Sequence, residues 1–205
     1  MSNQNFYIAF EGPIAAGKTT LARRFAAQVG AELLLEDYEG NPFLADYYSE
    51  RERWALPMQL SFLAARHQQL MAVPVQRTGP VVADHTYTKD QIFAHALLED
   101  RELALYETLR RSLSGQAMAP DVIVYLDAPN RNLLERIRQR GRAYEESIDD
   151  DYLDRVRAAY EKELLAVRRN GVVLIDTSTL DLNSSTAVAE VFARIEAGIR
   201  REKSA

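Results

Sequence analysis

One stretch near the start of the chain, residues 12–19, constrains the fold more than any other part of the sequence. It reads GPIAAGKT and fits the pattern G-x-x-x-x-G-K-[ST]. The apolar residues 6–10 predict a buried strand before it, and apolar residues at helical spacing follow it up to Gly30, which predicts a helix end. A strand, a glycine-rich loop and a helix in this order form the context in which the pattern holds the phosphates of a nucleotide.

The chemistry of this loop follows from its backbone. Glycines allow successive N–H groups to approach an anion closely, and the helix from Lys18 adds its positive dipole end. The Lys18 side chain can reach the β- and γ-phosphates, and the Thr19 hydroxyl is placed to hold Mg²⁺. We therefore predict that ATP is bound by Gly12, Ala15, Ala16, Gly17, Lys18, Thr19 and Thr20.

Composition limits what kind of protein this chain can be. Its 205 residues are enough for one domain, predicted to cover 1–205, and its formal net charge is −5. Non-specific nucleic-acid binding requires a basic surface, so we expect no nucleic-acid partner. There is no cysteine for a disulfide or a thiolate metal site, and residues 1–5 do not resemble a signal peptide. No apolar run is long enough to span a membrane, so we predict a cytoplasmic protein without a membrane partner.

The remaining pattern alternates strands with helices. Predicted strands lie at 6–10, 32–35, 81–83, 122–126 and 172–175. Predicted helices lie at 18–29, 43–48, 53–73, 89–99, 101–113, before Gly141, at 149–169 and at 188–199, with Pro57 near a first turn or a kink. This alternation predicts an α/β fold with three layers, in which helices cover both faces of a parallel sheet.

Two acids follow predicted strands, Glu36 after the second and Asp84 at the end of the third. Ligands of such sheets bind at the carboxyl ends of strands, so both acids should lie beside the phosphate loop. One of them can orient or deprotonate an acceptor hydroxyl, and Asp84 can share the magnesium shell with Thr19. Helix capping or simple solvation is the alternative for either acid.

Two further groups suit binding, although each has a structural alternative. Gln59 and Arg66 are seven residues apart on one helix face and suit recognition of a planar heterocycle, but a solvated polar face has the same pattern. Arginines at 136, 138, 140 and 142 surround Gly141 and suit a closing lid, or a solvated helix end.

With these motifs assembled, the chain resembles the deoxyribonucleoside kinase family from residue 7 to about residue 181. The resemblance implies a fold like that of P-loop NTPases, with a five-stranded parallel sheet and an arginine-rich lid at about 138–148. It also implies phosphorylation of the 5′-hydroxyl of a deoxyribonucleoside with ATP and Mg²⁺, and a homodimer. The small-molecule partner would be the deoxyribonucleoside itself.

The same resemblance assigns roles in the acceptor site. Glu36 matches the glutamate that acts as base toward the 5′-hydroxyl, and Tyr48 matches a tyrosine that binds the sugar 3′-hydroxyl. Gln59 matches the glutamine that pairs with the base. Arg66 and Asp90 match a pair that contacts the base edge and helps to select it.

Further matches lie in the predicted lid. Arg136, Arg140 and Arg142 match lid arginines around the donor nucleotide, of which Arg140 and Arg142 would take part in catalysis. Glu145 matches a lid glutamate on the 3′-hydroxyl. The stretch 176–181 resembles the loop near the donor adenine.

One departure from the family pattern occurs at the end of the third strand. Family members normally have Glu or Asp, then Arg, then Ser there, whereas this chain has Asp84-His85-Thr86. Asp84 keeps the acid, but the arginine near the transferring phosphoryl group is missing. His85 itself, Lys89 or a lid arginine are the alternatives for supplying that charge.

Two other functions fit the same motifs. A nucleoside monophosphate kinase resembling thymidylate kinase would need an added cation for its charged acceptor, and Glu36 favours a neutral hydroxyl instead. A non-catalytic nucleotide-binding relative is favoured by His85. It is opposed by the intact set Lys18, Thr19, Glu36, Gln59 and Arg140.

Overall fold

The computed structural model describes residues 5–71, 78–113, 118–166, 171–181 and 184–204. Five strands form one parallel sheet in the order β2-β3-β1-β4-β5. Their bounds are Tyr7–Glu11 for β1, Glu32–Leu34 for β2, Val81–Ala83 for β3, Val122–Asp127 for β4 and Val172–Asp176 for β5. Because β1 is central, the phosphate loop that follows it leaves the sheet at its middle.

Eight α-helices connect or flank these strands in the described residues. They are α1 (Lys18–Val29), α2 (Leu44–Ser49), α3 (Arg51–Met71), α4 (Thr88–Leu97), α5 (Asp100–Leu113), α6 (Asn130–Arg140), α7 (Asp150–Tyr160) and α8 (Ser185–Ser204). A short 3₁₀ turn, Ala143–Glu145, follows α6, and a π-helical segment, Glu161–Leu165, continues α7.

The two faces of the sheet are covered by different helices. On one face, Phe25 of α1 lies between Phe10 of β1 and Phe192 of α8, with ring centroids 6.5 and 5.1 Å apart. On the other face, Tyr160 of α7 packs against Tyr125 of β4 and Phe93 of α4. The three-layer α/β architecture predicted from the alternating pattern is therefore confirmed.

Element bounds differ from the sequence prediction mainly at their ends. Pro57 is the seventh residue of α3, which begins earlier than predicted, at Arg51. Of the two alternatives for Pro57, the first turn is therefore wrong, and a kink stays a prediction. The predicted helix 149–169 changes to π-helical geometry after Tyr160. Residues 72–73 and 167–169 of the two long predicted helices lie outside the described residues. None of the described helices is long and apolar enough to cross a membrane.

Candidate active site

The phosphate loop adopts a backbone that only small residues allow. Gly12 has φ +138°, and a Cβ atom there would lie 2.1 Å from the carbonyl oxygen of Leu126. Gly17 has φ +99° and Ala15 has φ +62°. Lys18 Nζ donates to the carbonyl oxygens of Gly12 and Pro13, at 2.8 Å each. The loop thus wraps around its own ammonium group, and burial lowers the pKa of Lys18 to about 8.

A cleft of about 470 Å³, called the phosphate cleft below, opens over this loop. All the predicted triphosphate residues line it except Gly12, which is buried beneath it. The guanidinium of Arg136 donates to the Ala15 carbonyl at 3.4 Å and to the Thr177 hydroxyl at 3.1 Å. Arg136 therefore ties α6 to the phosphate loop and to the segment after β5, where Asp181 also lines the cleft.

A second cleft of about 640 Å³, called the acceptor cleft, adjoins the first and shares Lys18, Thr19 and Arg140 with it. Phe62 and Phe93 form apolar walls suited to a flat ring. The structure brings most of the predicted acceptor residues together here. These lining residues are Glu36, Tyr48, Gln59, Arg66, Asp84, Arg142 and Glu145.

A chain of alternating charges runs along the floor of the acceptor cleft. Glu36 Oε1 accepts from Arg66 Nε at 2.6 Å, and Glu36 Oε2 accepts from Lys89 Nζ at 2.6 Å. Arg66 also pairs with Asp90, whose side chain is fully buried. Burial alone would raise the pKa of Glu36, but Arg66 and Lys89 outweigh it and hold that pKa well below its usual value. Glu36 is therefore an anion with a fixed orientation.

Asp84 connects this floor to the phosphate loop. Its carboxylate accepts from the Thr19 hydroxyl at 2.5 Å and from the backbone N–H of Glu36 at 2.8 Å. Burial opposes ionisation of Asp84, but hydrogen bonds from His85 and Thr19 lower its pKa overall. A hydroxyl and an ionised carboxylate in contact fit a magnesium ion that takes its other ligands from phosphates and water. Among the described residues, no group of three or more acids or histidines could hold a metal ion by itself.

The segment after α6 lies against the rim of the acceptor cleft. Arg140 and Arg142 both donate to Glu145, and the Arg142 guanidinium lies 4.2 Å from the centroid of the Tyr38 ring. Tyr144 stacks on Tyr48 with centroids 5.8 Å apart. These contacts join the segment to Tyr38 and Tyr48 of the cleft lining, and Arg142 itself lines the acceptor cleft.

Besides Gly12, two predicted binding residues line neither cleft. His85 is fully buried, and its Nδ1 lies 3.3 Å from Asp84 Oδ1. Its position therefore does not support direct contact with a substrate. Asp90 lies behind Arg66 and can reach a ligand only through it. In contrast, Lys89 lines the acceptor cleft.

Sequence reasoning missed a buried network at the base of the phosphate loop. Glu11 is fully buried and accepts from the Thr86 backbone N–H at 2.7 Å, from the Thr86 hydroxyl at 2.8 Å and from the Tyr160 hydroxyl at 2.7 Å. It joins the end of β1 to the start of α4 and to α7. The available signal was an acid that directly follows an apolar strand and precedes Gly12.

A phosphate loop on the central strand, with an acceptor cleft beside it, defines a P-loop phosphotransferase. The sequence model described as deoxynucleoside kinase matches residues 8–199. The chain therefore belongs to the deoxynucleoside kinase family, as the resemblance implied.

Individual relatives agree with this family. The chain is 35% identical over 158 residues to a deoxyguanosine kinase of Bacillus subtilis, covering 76% of each protein. It is 28% identical over 201 residues to a deoxyadenosine/deoxycytidine kinase of the same organism, covering 94% of this chain and 92% of the relative. A deoxyadenosine kinase of Dictyostelium discoideum is 32% identical over 173 residues, 82% of this chain and 70% of the relative.

Solved structures support the fold. The deoxyadenosine kinase of M. mycoides with bound dATP superimposes with a TM-score of 0.79 at 22% identity, covering 94% of this chain and all of that one (100%). The same enzyme with dCMP and dCDP gives a TM-score of 0.77 at 24% identity, covering 93% and 98%. At this identity the likeness concerns the fold alone, and it agrees with the sheet and helices described above.

Proposed function

We propose that this protein transfers the γ-phosphoryl group of ATP to the 5′-hydroxyl of a deoxyribonucleoside. The observation that carries the proposal is the position of Glu36, whose side chain lines the acceptor cleft beside Lys18 and Thr19. A fixed carboxylate at this junction suits a neutral hydroxyl. A phosphate acceptor, as in a nucleoside monophosphate kinase, would be repelled by it.

On the donor side, the phosphate loop and Lys18 would bind the triphosphate, and Arg136 would hold the rim of the phosphate cleft. Thr19 and Asp84 would hold Mg²⁺, Asp84 partly through water. The ion would supply charge neutralisation on the phosphates. The contact between Thr19 and Asp84 and the lowered pKa of Asp84 support this assignment, because magnesium prefers ionised oxygen ligands.

On the acceptor side, Glu36 would accept a hydrogen bond from the 5′-hydroxyl and take its proton as the new bond to phosphorus forms. Its low pKa makes it a weak base. It therefore serves first to orient the hydroxyl, which is sufficient because phosphoryl transfer depends mainly on positioning and charge neutralisation. Tyr48 and Glu145, which both line the cleft, would bind the 3′-hydroxyl.

Base recognition would rest on Gln59, with Arg66 positioned by Asp90. Gln59 is 1% exposed, and its side-chain oxygen has no hydrogen-bond partner among the described residues. A buried acceptor atom of this kind favours a ligand that donates to it, since leaving it unpaired costs about 1–3 kcal/mol. Thymine can also donate to this oxygen, from its N3–H, so Gln59 alone does not select the base. We propose adenine, guanine or cytosine rather than thymine because Arg66 and Asp90 match the base-selecting pair of the family.

The segment 138–148 would act as a lid. Its contacts with Tyr38 and Tyr48 support closure over the acceptor cleft, and Arg140, which lines both clefts, would meet the phosphoryl group. In this arrangement the lid excludes water from the point of transfer.

We also propose that this protein forms a homodimer and is located in the cytoplasm. Three leucines spaced four residues apart on α5, Leu105, Leu109 and Leu113, are 48%, 39% and 36% exposed, which suits contact with a second copy. Light scattering should give twice the monomer mass for wild type and a smaller mass for Leu109→Glu. A monomeric wild type would exclude the dimer, and cell fractionation would test the location.

The function is tested by incubating the protein with Mg²⁺ and γ-labelled ATP or GTP and with each of the four common deoxyribonucleosides. We expect label in the 5′-monophosphate of at least one of them. Lys18→Ala should abolish transfer. Lys162→Ala is the matched control, because Lys162 is 77% exposed and outside both clefts.

The alternatives give different outcomes when thymidylate is added to the acceptors in the same assay. Transfer to thymidylate but to no nucleoside would identify a monophosphate kinase. Binding of ATP and a nucleoside without any transfer would identify a non-catalytic relative and would refute the proposal.

A further inference from the structure

We propose that Lys89 is a catalytic residue whose ammonium group contacts the phosphoryl group as it passes to the acceptor hydroxyl. The inference rests on the proposed kinase function. It names Lys89 as the cation that takes the role of the family arginine, whose position in the sequence is occupied here by His85.

The backbone of Lys89 is anchored by hydrogen bonds. Its backbone N–H donates to the Thr86 hydroxyl at 3.3 Å, and Thr86 is fixed by two hydrogen bonds to the buried Glu11. Because Glu11 ends β1 and precedes Gly12, the first turn of α4 and the phosphate loop are anchored to the same carboxylate. These bonds therefore hold the first turn of α4 in a defined position relative to the phosphate loop.

The ammonium group of Lys89 lies in the acceptor cleft, which shares Lys18 and Thr19 with the phosphate cleft. It is 2.6 Å from Glu36 Oε2, and the side chain lines the acceptor cleft together with Lys18 and Thr19. Lys89 also contributes, after burial, to the lowered pKa of Lys18, so the two ammonium groups are close enough to repel each other. An ammonium has three N–H donors, so Lys89 can keep its bond to Glu36 and still donate to a phosphoryl oxygen.

Apart from Arg140, which lines both clefts, three other candidate cations are held by partners of their own. His85 is fully buried against Asp84 and lines neither cleft. Arg142 lies on the Tyr38 ring and donates to Glu145. Arg66 is held between two carboxylates, Glu36 and Asp90. Lys89 lines the acceptor cleft and uses one of its three N–H donors on Glu36, which leaves two donors for a phosphoryl oxygen.

The step itself balances without a bond to Lys89. The acceptor oxygen forms a bond to the γ-phosphorus, and the bond from that phosphorus to the β–γ bridging oxygen breaks with its electron pair going to the leaving diphosphate. The hydroxyl proton goes to Glu36. Lys89 stays protonated throughout and offsets negative charge on the oxygens of the transferring phosphoryl group. A fixed charge of this kind stabilises the transition state and so lowers the barrier to transfer.

The test measures steady-state kinetics and ligand binding for Lys89→Met, a substitution that keeps the apolar stem and removes the charge. Lys162→Met is the matched control, because Lys162 is exposed. We expect kcat of Lys89→Met to fall about 100- to 1,000-fold, as for loss of one transition-state donor. Dissociation constants for ATP and for the preferred nucleoside should change less than about fivefold. The kcat of Lys89→Arg should be at least about tenfold higher than that of Lys89→Met, since arginine keeps the charge. Lys162→Met should behave as wild type.

Each other result overturns the inference. An unchanged kcat, or a loss confined to nucleoside affinity, would make Lys89 a structural partner of Glu36. If Lys89→Met does not fold, Lys89→Arg decides: a folded Arg variant with kcat as low as that of Lys18→Ala would refute the role. A wild type that phosphorylates no nucleoside would refute the proposed function as well, whereas an active wild type with an equally active Lys89→Met refutes the inference alone.

Discussion

Replacing Arg66 by methionine tests the charged floor of the acceptor cleft. The Arg66 side chain is 4% exposed, and its partners Glu36 and Asp90 are 13% and 0% exposed. Arg66→Met fills similar space but leaves two buried carboxylates without their shared cation. Removing one partner of a buried ion pair costs about 3–5 kcal/mol.

The protonation of Asp90 limits this cost. Burial already raises its pKa in the wild type, and Arg66 opposes that rise. Without Arg66, Asp90 can escape the penalty by binding a proton, which from an ordinary pKa near 3.9 costs at most about 4 kcal/mol at pH 7. The folded variant then binds a proton that its unfolded state lacks. Its stability should therefore rise by up to about 1.4 kcal/mol per unit as pH falls from 7 toward 5.

The assay is thermal unfolding at pH 7.0 and pH 5.5. For a chain of this size, about 3–5 kcal/mol corresponds to a lower Tm by roughly 6–20 °C. Arg53→Met is the matched control, because Arg53 lies on the same helix, is 66% exposed and pairs with Glu50 at 3.4 Å, so it should change stability by less than about 1 kcal/mol. A Tm of Arg66→Met within 2 °C of wild type at pH 7, or a deficit that grows at pH 5.5, would refute the reasoning.

Three further predictions concern the ligands. ATP should bind more weakly as pH rises through about 8, because Lys18 loses its proton there in the free protein; titrations across pH 6.5–9.5 measure this, and Lys18→Ala should lack the dependence. Gln59→Ala should weaken nucleoside binding about 5- to 150-fold, equivalent to about 1–3 kcal/mol, and leave ATP affinity unchanged in calorimetry. Gly12→Ala should abolish ATP binding, because its Cβ would collide with the Leu126 backbone; Gly30→Ala, also at positive φ but with open space around it, should keep ATP binding.

These three predictions have distinct failure modes. A flat pH dependence for ATP in the wild type would mean that Lys18 keeps its proton without phosphate. Equal losses of ATP and nucleoside affinity in Gln59→Ala would make that residue structural. ATP binding by Gly12→Ala at wild-type strength would show that the loop tolerates a shifted backbone.

The sheet was predictable because its causes are local in the sequence. Apolar runs and turn residues locate each strand to within a residue or two, and alternation with helices requires parallel pairing. The end of α7 was not predictable in the same way. Its π-helical continuation, Glu161–Leu165, keeps an apolar pattern that an ordinary helix also allows, so only packing of the formed elements selects it.

The sequence by itself determined the phosphate loop, the positions of the strands along the chain and the acids at strand ends. The carboxyl ends of parallel strands meet at one edge in any order of the strands within the sheet. Only the tertiary structure decided which charged side chain points where. His85 and Lys89 are four residues apart, yet one is buried against Asp84 and the other lies in the acceptor cleft beside Glu36. Direction, burial and ion pairing depend on residues far apart in the chain, such as Glu36, Arg66 and Asp90, which come into contact only when β2, α3 and α4 pack together.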